Sequence, residues 1–153
     1  MKQIISTLTL MIAIVFLFLM SIVACDNSSH DKEIVVTELT IPIYFDNVVD
    51  DQVTIIRSKY EYKSFFSDYD VDLPSIDFNH STLIVARGVT SRGIVENADK
   101  VIRCFWNDDA LNVSINIPVD FTFSADPWYC IFLIDDRIRE NQNVLLNVDE
   151  ILI

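Results

Sequence analysis

The run KVIRCFWNDDALNVSINI, Lys100 to Ile117, decides the fold. In its second half Leu111, Val113, Ile115 and Ile117 alternate with Asn112, Ser114 and Asn116, the two-residue period of a strand with one apolar and one wet face. Asn107-Asp108-Asp109-Ala110 is polar and turn-prone, so Lys100 to Trp106 and Leu111 to Ile117 form a β-hairpin. Downstream, Pro118 to Pro127 reads as a loop and Trp128 to Ile134 as a buried strand. Asp135 to Asn143 is a charged connection. Val144 to Ile153 supplies a last strand, interrupted by Asp149 and Glu150.

Upstream, Thr82 to Arg87 and Val53 to Arg57 are short apolar strands. Ile34 to Phe45 is rich in β-branched and aromatic residues, but Pro42 confines it to an edge strand or two short strands. Between these lies the helix. Ser58 followed three residues later by Glu61 has the form of a capping box, in which Glu61 reaches back to the cap N–H. Tyr62, Phe65, Phe66 and Tyr69 then fall on one face of an amphipathic helix, a spacing that belongs to a core. Gly88 and Gly93, the chain's two glycines, are expected to supply positive φ angles in a loop.

The N-terminus sets the context. Lys2 and the apolar run Ile4 to Met20 precede Ile22-Val23-Ala24-Cys25, a secretory pattern with a small residue before cysteine. This motif resembles the bacterial lipobox, which implies that Cys25 is lipidated and becomes the first residue of the mature chain. Residues 1–24 are then a signal peptide, 25–33 a flexible polar tether containing His30, and 34–153 one β-rich domain. The resemblance implies a bacterial envelope protein, facing the periplasm or cell surface and held to a membrane by its lipid.

Lys2 leaves with the signal, so 10 basic and 23 acidic residues remain, a formal charge of −13. With no run of Lys and Arg, the sequence offers no partner surface for nucleic acid or anionic lipid. Cys104 and Cys130 are the remaining cysteines, in a compartment that permits disulfides. If Leu111 to Ile117 pairs between their strands, they stand roughly 9–10 Å apart, beyond the reach of a bridge. Two buried reduced thiols are therefore expected.

Patterns for chemistry are thin. Asp68, Asp70 and Asp72 open like a calcium loop, but Leu73 and Asn79 occupy the positions that need Gly and Glu. A solvated acidic turn is the reading. His80 lacks a second His or Cys nearby, no CxxC or HExxH occurs, and Asp108-Asp109 and Asp135-Asp136 lie in loops. No catalytic residue, metal ligand or cofactor is assigned. Trp106, Trp128 and Tyr129 are either core residues or a flat aromatic platform for a sugar or a partner protein.

The order Ile55-Ile56-Arg57-Ser58, aromatic helix, Pro74 and Asp77-Phe78, apolar strand, hairpin, and strand after a Pro-containing loop resembles a known family. It is similar to the C-terminal domain of the accessory subunit of dentilisin-type protease complexes, over residues 53–135. The chain departs from that pattern after Thr82 to Arg87, with Arg87-Gly88 and Arg92-Gly93 in place of a Gly-rich turn. The resemblance implies an α+β fold, a predominantly antiparallel β sheet or partly open barrel with one short helix. It also implies protein association without catalysis. A non-enzymatic domain that binds an envelope or surface protein is thus expected. The rival readings are a glycan-binding module, if Trp106, Trp128 and Tyr129 share an exposed face, and a small hydrolase, if His80 sits beside two carboxylates in a cleft.

Overall fold

A strand that is apolar on one side needs a second layer to cover it. In the computed structural model, which describes residues 32–45, 48–107 and 109–153, that layer is a second sheet. Among the described residues the strands are β1 (Lys32–Ile34), β2 (Val36–Glu38), β3 (Gln52–Ile56), β4 (Thr82–Val89), β5 (Val101–Asn107), β6 (Ala110–Val119), β7 (Pro127–Ile134) and β8 (Asn143–Leu152), with one helix, α1 (Lys59–Phe65), after β3. One sheet has the order β1-β5-β6-β8 and the other β2-β7-β4-β3. Over the described residues the fold is α+β and mainly β, with two sheets and no closed barrel.

The hairpin forms as its pattern predicts, with Asn107 opposite Ala110 and Cys104 opposite Val113. Its neighbour differs from the sequence expectation. β6 does not pair with β7; its other edge is taken by β8, running parallel, with Val113 opposite Leu146. The cause lies in β7, whose two faces are both apolar. Trp128, Cys130, Phe132 and Ile134 pack into the core between the sheets, while Ile131 and Leu133 pack into a second core on the far side. Such a strand must be covered on both faces, which the middle layer provides and a half-wet sheet does not.

The second core is roofed by α1 and by the segment after β2. Ile41, Ile43 and Phe45 alternate inward there, against Tyr62 and Phe66 of α1 and Leu83, Val85 and Ile131 of the sheet below. The predicted strand from Ile34 to Phe45 is thus only two three-residue strands. Its break falls at exposed Val35, where the chain crosses from one sheet to the other, and not at Pro42. The fold also begins earlier than the tether boundary suggests. Lys32 and Glu33 already pair with Trp106 and Phe105. Asp149 and Glu150 do not interrupt β8: Asp149 joins the wet face of Leu145 and Asn147, and Glu150, on the other face but exposed near the strand's end, accepts from the Ser91 hydroxyl.

Ser58 caps α1 as expected, its hydroxyl accepting from Glu61 N–H at 3.2 Å. The reciprocal bond differs by one residue: the Glu61 carboxylate accepts from Arg57 N–H at 2.6 Å, ahead of the cap. Ser58→Ala removes the first bond and is expected to cost about 1 kcal/mol of stability. Chemical denaturation of the two proteins checks this, and equal midpoints and slopes would show that the cap contributes nothing.

Neither glycine has a positive φ; that region is occupied by Asn97, at 62°. Both glycines instead make room. A Cβ on Gly88 would lie 2.7 Å from Trp128 Nε1 and overlap the Asp51 carboxylate. One on Gly93 would lie 2.8 Å from the Asp120 carboxylate and overlap the Thr122 hydroxyl.

Cys104 and Cys130 are buried, unbridged, and in the core between the sheets. The meander argument for keeping them apart does not hold, since their strands lie in different sheets. Burial pushes both thiols up to about 12, far above the pH at which a thiolate nucleophile forms. An alkylating reagent at neutral pH is expected to label neither thiol in the native domain and both after unfolding. Labelling of either one in the folded protein would place it at the surface.

Candidate functional site

The two ends of the sandwich are chemically unlike. At the first end the β7–β8 connection is clamped across both sheets. Asp136 Oδ2 accepts from Trp106 Nε1 at 2.9 Å, Ile138 C=O accepts from Arg57 Nε at 3.0 Å, and the Thr82 hydroxyl donates to Asp136 C=O at 2.8 Å. The described chain enters at this end, since Lys32 lies opposite Trp106. A cleft of about 750 Å³ opens here, lined by Arg57, Arg137 and Arg139 but equally by Glu61, Asp136 and Glu140. Its formal charges cancel, so it selects neither an anion nor a cation.

At the opposite end the β4–β5 and β6–β7 loops are laced together. Asp120 N–H donates to Gly93 C=O at 2.9 Å, and Gly93 N–H donates to Thr122 C=O at 3.2 Å. Thr90 N–H donates to Asp126 C=O at 3.0 Å. Side chains finish the work. Asp126 Oδ2 accepts from Ile94 N–H at 3.0 Å, Asp126 Oδ1 from the Ser124 hydroxyl at 2.6 Å, and Asp120 Oδ1 from Thr122 N–H at 2.7 Å. The Thr122 hydroxyl and N–H hold the Asp120 carboxyl below its usual range, and the Ser124 hydroxyl and Ile94 N–H do the same for Asp126. Both carboxylates therefore remain ionised, and remain acceptors, throughout the neutral range.

What this lacing displays is apolar. Phe121 is 74% exposed and Phe123 93% exposed, on alternate residues of the tied segment. Full burial of such a side chain is worth about 1.5–3 kcal/mol. Two held in water on a tied loop form an exposed apolar patch.

The residues singled out from sequence are not brought together. Trp128 is 2% exposed in the core between the sheets. Its neighbour Tyr129 necessarily points to the other face, where its ring meets Phe45 edge-on at 5.5 Å. Trp106 packs against the inter-sheet core at the first end. No shared aromatic platform exists among these three. His80 is bonded to one carboxylate, Asp77 Oδ2 at 2.9 Å, with 78% of its side chain exposed. Among the described residues no second carboxylate bonds it, and the adjoining cleft of about 370 Å³ is lined by Asp77 and Asn79 but not by His80 itself. Asp136 spends its oxygens on Trp106 Nε1 and on Arg137 N–H, and the Asp68, Asp70, Asp72 turn holds no group of metal-ligating side chains among the described residues.

No family model, curated protein or solved structure matches the chain. Function is therefore argued from the geometry. The sequence reading passed over Phe121 and Phe123 because it took Pro118 to Pro127 as a plain loop. The signal was present: two phenylalanines spaced by one polar residue inside a segment bounded by prolines, where no strand period can bury them.

Proposed function

We propose that the chain is a non-enzymatic accessory domain of the bacterial envelope, tied to a membrane through Cys25, that docks another envelope or surface protein through the Phe121–Phe123 loop. The observation that carries this reading is the pair of exposed phenylalanines on a loop pinned at both ends. A loop already ordered loses little conformational entropy on binding, and aromatic side chains on rigid supports make the strongest contacts in protein interfaces. The glycan reading loses its support with the aromatic platform. The hydrolase reading loses its own with the isolated, exposed His80.

The anchor rests on Ile22-Val23-Ala24-Cys25, which lies outside the described residues. Intact-mass analysis of the protein extracted from cells is expected to show residues 1–24 absent and Cys25 acylated. Retention of the leader would remove the lipid anchor from this reading. The docking role is tested by purifying the full chain and its Phe121→Ser/Phe123→Ser variant from chemically cross-linked envelopes, at matched amounts. Proteins enriched with the wild type and lost with the variant are the expected result. An identical set from both would refute docking through this loop.

A further inference from the structure

We infer that the docking face of the partner is a cationic protein surface surrounding an apolar socket. This rests on the docking role proposed for Phe121 and Phe123 and specifies its chemistry. The loops and strand ends at the end of the sandwich that carries the two phenylalanines hold residues far apart in sequence. Asp50 and Asp51 stand at the start of β3, Glu96 and Asp99 in the β4–β5 loop, and Asp120 and Asp126 in the β6–β7 loop. The end of β8 adds Asp149 and Glu150, the latter accepting from the Ser91 hydroxyl at 2.7 Å. Arg92 and Lys100 are the cations of the same loops and Arg87, donating to Gln52 at 3.0 Å, that of the β4 end, so eight carboxylates stand against three positive charges.

Burial first, and then repulsion from Asp50 and Glu150, hold the Asp51 carboxyl above its usual range. Charge of one sign around an apolar centre steers a partner of the opposite sign and rejects like-charged ones. Anionic lipid, nucleic acid and a second copy of this strongly acidic chain all bring negative charge toward the phenylalanines. A cationic polypeptide brings the complement. The arrangement, apolar anchors at the centre and charge at the rim, is that of a protein interface with its other half absent.

The test uses the full chain in its native envelope, with a photoreactive benzoylphenylalanine at position 123 and, as control, at position 60. Tyr60 is 83% exposed on α1, away from the acidic loops. Cross-linked peptides are identified by mass spectrometry. Irradiation is repeated at about 0.5 M salt, where charges more than a few ångströms apart are screened. It is repeated again in the Asp50→Asn/Glu96→Gln/Asp99→Asn background, which leaves the lacing carboxylates Asp120 and Asp126 in place.

The expected product at position 123 is a Lys- and Arg-rich peptide of another protein, its yield falling at least about fivefold in high salt and in the charge variant. A neutral or acidic peptide, or a yield indifferent to both treatments, overturns the cationic partner and leaves the docking role standing. Cross-links to lipid or to a second copy of this chain, or none above those at position 60, overturn both.

Discussion

Replacing Phe132 with alanine is expected to lower the free energy of unfolding by about 3–5 kcal/mol, the range for removing a large aromatic side chain from a close-packed core. Phe132 is fully buried in the core between the sheets. Its strand β7 lies between β2 and β4, with Phe132 opposite Glu38 on one side and Ile84 on the other. The cavity left by alanine is walled by ladders on both sides, so the surroundings cannot collapse to fill it. A typical domain is stable by only about 5–15 kcal/mol, so the loss is a large share of the whole. Urea denaturation decides the matter. A change below about 1 kcal/mol would mean that the two sheets do not share the core described here.

Gly88→Val is expected to cost about 1–3 kcal/mol by overpacking. Gly88 lies directly opposite Trp128, and the indole occupies the space a side chain would need. The Asp51 carboxylate closes the other approach. Because Gly88 has no positive φ, valine is free of backbone strain and in fact suits a strand. The substitution thus separates two accounts of one glycine. Destabilisation with a displaced Trp128 fluorescence spectrum supports close packing. A neutral or stabilising outcome would show that the indole does not lie over this residue.

Legibility in the sequence followed physical locality. The hairpin was readable because Leu111 to Ile117 alternates cleanly and its partner is the next strand in the chain. The helix was readable because Ser58 and the Tyr62, Phe65, Phe66 spacing are local signals. What failed to show was the choice of sheet. β7 follows β6 in sequence, yet it pairs with β4 and β2, because its two apolar faces need cover that only the middle layer supplies. A continuous apolar run carries that information, and Trp128 to Ile134 is one.

The aromatic platform was excluded by the same arithmetic that predicts strands. Trp128 and Tyr129 are consecutive in β7, so they face opposite sides and cannot form one surface. The gathering of charge was invisible for a different reason. Asp50, Glu96, Asp120 and Glu150 are distant in sequence and share one end of the sandwich only because strand ends and loops stop there. No run of acidic residues announces them. Phe121 and Phe123 were legible in composition but were assigned to a loop without asking what would cover them.

The claim at the centre of this account is that Phe121 and Phe123 are held out for a partner that covers them in the cell. Hydroxyl-radical footprinting measures that cover directly, by comparing side-chain oxidation in the purified protein with oxidation in intact envelopes. Both phenylalanines are expected to oxidise readily when purified and to be strongly protected in the envelope, while Tyr60, 83% exposed on α1, oxidises equally in both. Equal oxidation of Phe121 and Phe123 in the two samples would contradict the account.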